Sequence, residues 1–482
     1  MSRPSHDLAV IGAGAAGLIA ARFAAQLGAR VLLIDRDRIG GDCTWTGCVP
    51  SKSLIRVAKA AHEARTGQRF GVHAGDCSVN MREVRAFVHR KVQEIYVPTS
   101  PDALSAEGID VMIAPASFLD ARTLRVGTAT VHARRFLICT GASPTLPDID
   151  GLRSVPHLTY HTVFDLEELP PSLIVVGGGP LGMELGQAFQ RLGSQVTIVA
   201  PRLLPQDDPE AADVVHRVCE REGVRFERGH ARAVWHEGDA VVVKTDAGAQ
   251  VTGSHLLVAV GRRPNVEGLG LDRAGVTSSV DGIVVDDRLR TSVPHIFAAG
   301  DVTGGEQFSH IAGWQAFAAA RNALLPGSTS GAANPTAWVT FTDPEVAQVG
   351  PTETRARDAL GGSLVVTRWD IAKVDRAKCD DEEEGFIKLL SDGRGRLIGA
   401  TIVASRAGEM SNELSLAVAR GLTVGDIATT VHAYPTYATA LQQMASQTAT
   451  TRWTSSLAGR VLARVLGFSK RPGVSRPDAA DR

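Results

Sequence analysis

An α/β protein with two strand–helix–strand halves and a smaller C-terminal α+β domain is what the sequence predicts, on three observations. Glycines in G-x-G-x-x-G spacing occur twice, at 12, 14 and 17 and again at 177, 179 and 182. Each triplet follows a short apolar run, opens a stretch of helical periodicity, and is closed by a second apolar run. From Thr336 the pattern changes to short strands such as "GFIKLL" and "RLIGATIV" joined by "SDGRG", which suggests an antiparallel sheet with helices. The 482 residues leave room for about three domains.

In the first half, "LAVIGAGAAGLIAARFAAQLGARVLLID" turns at Gly12 and returns to a strand ending at Asp35. Gly12 allows the tight turn, Gly14 lets a pyrophosphate approach the backbone, and Gly17 lets helix and strand pack closely. The free N–H groups of the helix start then face the phosphates, and Asp35 is placed to accept hydrogen bonds from a ribose. The second half, "SLIVVGGGPLGMELGQAFQRLGSQVTIVAPR", repeats the arrangement with Gly177, Gly179 and Gly182, but its second strand ends at Ala200 and Arg202 follows. An acid at that place favours a free ribose hydroxyl, whereas a nearby arginine accommodates a 2′-phosphate, so this site is expected to prefer NADPH to NADH. Two dinucleotide sites in one chain imply electron traffic between them.

Between the halves lies "GGDCTWTGCVPSKSL", with Cys43 and Cys48 directly behind the first acidic strand end. A structural zinc site needs four ligands, and the next histidine is His62, so metal binding is not expected here. Pro50 suits the first turn of a helix starting near Cys48, which puts that sulfur at the positive helix end where a thiolate is stabilised. Lys52, four residues on, shares the helix face. The pair reads as a dithiol/disulfide switch, fed in the order nicotinamide, flavin, sulfur.

Bulk properties agree. With 51 basic and 52 acidic residues, the overall charge gives no reason to expect nucleic acid as a partner. Six cysteines are too few for a disulfide scaffold, no signal peptide is expected before Asp7, and no apolar run reaches the roughly 18 residues of a spanning helix, so the expected compartment is the cytoplasm. Cys77, Cys139, Cys219 and Cys379 have no cysteine neighbour in sequence and read as packing or surface thiols. The acidic run 380–384 reads as a solvated turn before a strand.

"GGDCTWTGCVPSK" resembles the redox-active signature of the pyridine nucleotide–disulfide oxidoreductases, the flavoprotein family of glutathione reductase, dihydrolipoyl dehydrogenase and mercuric reductase. The resemblance runs from Asp7 to about Gln447 and extends to "ICTGASPTLPDIDG", "VAVGRRPN", "IFAAGDVTGGEQFSHIAGWQA" and "VTFTDPEVAQVG". It implies two Rossmann-like dinucleotide-binding domains plus a C-terminal α+β dimerisation domain. The FAD-binding domain would be split over 1–150 and 280–330, the NAD(P)H-binding domain would be 151–279, and the dimerisation domain 336–450. Cys43 would be the interchange thiol and Cys48 the charge-transfer thiol, with Lys52 near the flavin and Glu184 paired to it. Thr140, Gly141 and Asp301 would border FAD, and Gly261 the nicotinamide cofactor. The resemblance also implies a homodimer in which one C-terminal domain completes the other subunit's site.

One departure matters. Where the disulfide reductases carry a His-Pro-Thr-x-x-Glu motif, this chain has "VHAYPTYAT", so Tyr434 stands at the histidine and Thr439 at the glutamate position, with His432 two residues earlier. A tyrosine there is similar to the mercuric reductases, yet their further C-terminal cysteine pair has no counterpart, since no cysteine follows Cys379. The acceptor is therefore expected to be a small molecule or a metal ion reduced through Cys43 and Cys48. Dihydrolipoyl oxidation, and a redox-sensing flavoprotein with slow turnover, are the alternatives. Finally, 452–482 holds seven basic and two acidic residues, and Leu457, Val461, Leu462, Val465 and Leu466 recur at helical spacing. This basic amphipathic tail is expected either to pack on its own dimer or to touch a membrane surface or a partner.

Overall fold

The computed structural model describes residues 4–468, which form two compact units divided between Asp343 and Pro344. In the first unit the strand His6–Ile11 pairs in parallel with Val31–Asp35 on one side and Ala129–Ile138 on the other. Ile109–Ile113 extends the sheet beyond Val31–Asp35, and Ile296–Ala298 returns from much later in the chain to pair in parallel with Ala129–Ile138. A second parallel sheet runs in the order Arg225–Arg228, Gln195–Ala200, Ser172–Val176, His255–Val258. Apart from the charged edge strand Arg225–Arg228, its strands are largely apolar and buried, as parallel sheets covered on both faces require.

What aligns helix with strand is a repeated backbone crossing. The helix Ala15–Gln26 buries Ala16, Gly17, Ala20, Ala21 and Ala24, small residues that let it lie close on the sheet. A Cβ at Gly17 would stand 1.8 Å from the carbonyl oxygen of Gly12, and one at Gly12, where φ is +101°, would stand 2.3 Å from that of Cys139. The second half repeats this to within 0.2 Å. A Cβ at Gly182 would stand 2.0 Å from the carbonyl oxygen of Gly177, and one at Gly177 would stand 2.2 Å from that of Ala259. Only glycine fits these four places.

The two halves are stitched by a short antiparallel ribbon in which Arg262–Pro264 pairs with Ala142–Pro144. Beside it Thr140 Oγ1 donates to the Asn265 carbonyl at 2.8 Å, and Asn265 Nδ2 donates back to the Thr140 carbonyl at 2.9 Å.

The second unit is built on antiparallel strands: Glu345–Val349 pairs with Leu397–Ala404, which pairs with Phe386–Ser391, which pairs with Val365–Asp370. Phe386–Ser391 is buried along its whole length, Lys388 included, whose ammonium is neutralised by Glu353 at 2.8 Å. The acidic run 380–384 is tied down more than a solvated turn: Arg376 pairs with Asp380 at 2.8 Å, and Tyr437 donates to Glu382 at 3.3 Å. The tail forms a helix, Leu457–Val465, and 469–482 lies outside the described residues. Among the described residues no helix is long and apolar enough to cross a membrane.

Gly17→Ala and Gly182→Ala are each expected to lower stability by about 1–3 kcal/mol, the usual cost of forcing a methyl into packed backbone. The control Gly28→Ala, with open space around its Cβ, should cost less despite its φ of +81°. Chemical denaturation of the three variants measures the difference.

Candidate active site

The redox helix Cys48–Thr66 starts at the sulfur-bearing residue itself. Gly47 precedes it, and no side chain caps the end, which leaves the Cys48 backbone N–H to face that residue's own sulfur. Cys43 sits on the short preceding helix Gly41–Trp45. Ser309, the first residue of the helix Ser309–Leu324, places its Oγ 3.3 Å from Cys48 Sγ.

These surroundings treat the two sulfurs differently. The hydrogen bond from Cys43 stabilises charge on Cys48, and Ser309 and Lys52 add to it against the cost of burial, pulling the Cys48 thiol down to about 6. Cys43 is pushed strongly upward, first by its bond to Cys48 and then by burial. In the reduced pair the negative charge therefore rests on Cys48, and Cys43 keeps the proton. Cys139 and Cys219 are buried and their thiols are raised by desolvation, which leaves them inert.

Lys52 Nζ bonds Glu184 Oε2 at 2.8 Å and lies 4.5 Å from the centre of the Phe341 ring. Glu184, on the helix Pro180–Leu192, is 5% exposed, and its other oxygen accepts the Phe341 backbone N–H at 2.8 Å. Immediately before Cys43, Asp42 accepts hydrogen bonds from Tyr160 at 2.9 Å and from Arg262 at 3.0 Å. Arg262 also reaches Asp301 at 2.5 Å. Burial opposes the charge on Arg262, but Asp301, Tyr160 and Asp42 together hold it firmly protonated.

The glycine turns test whether dinucleotides fit. In each triplet the first and third glycines are filled by the chain's own carbonyls, whereas the middle one faces free space. A Cβ at Gly14 would meet only the Gly41 Cα, at 3.7 Å, and nothing lies within 4 Å of one at Gly179, Gly141 or Gly261. The open backbone is where a pyrophosphate must approach. Asp35 is held at its strand end by the N–H groups of Ala13 at 2.8 Å and Asp37 at 3.0 Å. Ala200 is buried and Arg202 exposed at the matching end of the second half.

The structure thus gathers Cys43, Cys48, Lys52, Glu184 and Asp301 in the first unit. Tyr434 belongs to the second unit, where it is 68% exposed and its hydroxyl donates to Asp375 at 3.2 Å; that carboxylate raises the phenol above its ordinary value. Thr439 donates to the Ala433 carbonyl at 2.9 Å. His432 has both ring nitrogens engaged by acceptors, Nε2 with Glu413 at 2.9 Å and Nδ1 with the Thr430 carbonyl at 3.0 Å. Sequence reasoning missed Asp42, Tyr160, Ser309 and Phe341 as parts of the site, and passed over Arg262 although it stands inside the quoted "VAVGRRPN". No group of three or more metal-ligating side chains occurs among the described residues.

Paired dinucleotide turns flanking a dithiol define a class, the flavoproteins that carry electrons from a nicotinamide to sulfur. The family description "Pyridine nucleotide-disulphide oxidoreductase" matches residues 6–319, and that family's dimerisation domain matches 336–445. The chain belongs to this family and is an FAD- and NAD(P)H-dependent oxidoreductase. It is 37% identical over 458 residues to a mercuric reductase of Streptomyces lividans, covering 92% of this chain and 96% of that one. It is 33% identical over 441 residues to a dihydrolipoyl dehydrogenase of Geobacillus stearothermophilus, covering 89% and 93%. A solved Cu(II) complex of the HOCl-induced flavoprotein disulfide reductase RclA from Escherichia coli superposes with a TM-score of 0.82 at 28% identity, over 91% of this chain and 99% of that one.

A reduced protein with its charge on Cys48 should show long-wavelength thiolate–flavin absorbance above the Cys48 value and lose it as pH falls through about 6. Cys48→Ser should abolish the band with FAD still bound. Ser309→Ala, which removes one stabilising donor, should move the loss to higher pH. A spectrophotometric titration of the three proteins reads all of this.

Proposed function

We propose that this chain oxidises NADPH and delivers the electrons through Cys43 and Cys48 to a thiophilic metal ion, of which Hg(II) is the model substrate, in preference to a small disulfide. The observation that carries this reading is the split between the sulfurs together with Tyr434 at the acid–base position. Cys43 as a protonated, partly buried thiol is a poor nucleophile toward a disulfide, because exchange needs the thiolate. A histidine near neutral pH relieves that by taking and returning the proton. A phenol raised by Asp375 cannot serve as that base at pH 7. A soft metal ion needs no base, because it displaces the thiol proton on binding.

The open backbone at Gly14 and the carboxylate of Asp35 would hold FAD, which when bound would take hydride from NADPH and supply two electrons to the sulfur pair. The chain's residues do the rest. Lys52 and the helix start keep Cys48 anionic, and Cys43 loses its proton to water as the ion binds. Hg(II) then takes two electrons from the thiolates, leaving Hg(0), one proton released from Cys43, and a Cys43–Cys48 disulfide. The name of the Streptomyces lividans relative, and the Cu(II) complex of the Escherichia coli one, support soft-metal chemistry. With residues 336–445 matching a dimerisation domain, the working enzyme is read as a homodimer.

Steady-state NADPH oxidation with Hg(II), glutathione disulfide, lipoamide and a quinone tests the acceptor. Turnover with Hg(II) should exceed that with either disulfide by roughly 10²–10⁴-fold, the usual contribution of a general acid–base group, and should vanish in Cys43→Ser. Tyr434→His with Thr439→Glu should raise disulfide reduction more than quinone reduction. Disulfide turnover equal to Hg(II) turnover in the unmodified protein overturns the reading.

The cofactor preference rests on Arg202 beside a strand end that lacks an acid. KM for NADPH should be lower than for NADH, and Arg202→Glu should narrow or reverse the gap. Equal KM values in the unmodified protein would refute it.

A further inference from the structure

We propose that the helix Leu457–Val465, with Leu466 and Phe468 directly after it, forms a docking element for an anionic phospholipid surface. The first support is charge. Although the chain holds 52 acidic residues, none occurs between Asp426 and Phe468, and Arg452, Arg460 and Arg464 all fall in that interval. Such segregation matches a negatively charged plane, where each basic residue adds attraction within a Debye length.

The second support is shape. At 100° per residue, Leu457, Val461, Val465, Leu462 and Leu466 fall on one half of the helix, with Arg460 and Arg464 on its flank. The apolar half is left open within the chain: Leu457 is 73% exposed, Val465 76% and Phe468 71%. A helix of nine residues is too short to cross a bilayer, so it lies in the interface with its apolar side down.

The third is a fixed base. Ser456 caps the helix by accepting the Gly459 N–H at 3.0 Å. Gly459 is buried so tightly that a Cβ there would stand 2.1 Å from the carbonyl oxygen of Trp453. The end of the preceding helix Thr439–Ser455 is held in turn by Arg452, which donates to the Gly393 carbonyl at 2.8 Å. The apolar half is therefore presented in a set direction instead of swinging on a loose tail.

The test uses the full-length FAD-loaded protein and sedimentation with vesicles of phosphatidylcholine, with or without phosphatidylglycerol. The protein should sediment with the phosphatidylglycerol vesicles, weakly or not at all with phosphatidylcholine alone, and less as salt is raised. Arg460→Gln with Arg464→Gln should weaken the partition by about thirty-fold, from the attraction expected for two surface arginines. Val461→Asp with Val465→Asp should abolish it. Neither variant should change NADPH turnover in solution or the oligomeric state measured by analytical ultracentrifugation. Absence of sedimentation, sedimentation unaffected by either variant, or a change of oligomeric state in the Val461→Asp, Val465→Asp protein overturns the proposal; the last outcome would mean that a second copy of the chain covers this face.

Discussion

Glu184 is an ionisable side chain that water barely reaches, and both of its oxygens are committed, one to Lys52 and the other to the Phe341 backbone N–H. Breaking such a pair by removing one partner leaves a buried charge without compensation, at a cost of about 3–5 kcal/mol. The pair therefore acts as a geometric constraint between two helices that sequence separates widely, Cys48–Thr66 and Pro180–Leu192. The same two helices are joined again further along. Lys59 meets Asp343 at 3.4 Å, Asp343 meets Arg191 at 2.8 Å, and Arg191 meets Glu222 at 2.5 Å. Arg65 donates to the Arg191 carbonyl. With its length pinned in this way, the redox helix holds its N-terminal sulfur in one place.

From that placement comes the inequality of the two thiols. Both are partly buried, so burial alone would raise both. The Ser309 hydroxyl and the N–H at the helix start favour charge on both sulfurs, but the hydrogen bond between the thiols lowers Cys48 and raises Cys43, and the Lys52 ammonium adds its pull at Cys48. Cys43 has instead Asp42 as its neighbour in sequence, and that carboxylate is held below the ordinary range: burial works against it, but His161, Arg262 and Tyr160 outweigh the penalty. One anion is thus built next to another site that stays neutral. Chemistry that needs a free thiolate at Cys43 has to bring its own means of removing a proton.

What could be read from the sequence alone was whatever depends on local backbone geometry. Gly12 and Gly17 are legible because a tight turn and a close helix crossing leave no room for a side chain, and Gly14 because a pyrophosphate must approach its open backbone, wherever the rest of the chain goes. The strand ending at Asp35, the helix beginning at Cys48, and the amphipathic spacing of Leu457 to Leu466 are legible for the same kind of reason. The Lys52–Glu184 contact joins residues 132 positions apart, and no periodicity reveals it; it was reachable only through the family resemblance. The cluster of Asp42, Tyr160, Arg262 and Asp301 draws on four separate segments, and nothing in the spacing of any one of them points to the others. His432 stands two residues before Tyr434 in sequence, and the structure surrounds it with a carboxylate and a carbonyl, which spacing alone does not reveal.

The two glycine crossings have a consequence for how such a protein can change over generations. The crossing at Gly177 and Gly182 admits no side chain, so those positions are closed to drift. The matching strand end of the second half is different in kind, since Arg202 there is exposed to solvent. On the cofactor preference proposed for Arg202, selectivity for the phosphorylated or unphosphorylated dinucleotide is free to wander among descendants without endangering the fold. A lineage can switch its source of reducing power by a change at the rim, while the frame that holds the cofactor stays as it was inherited.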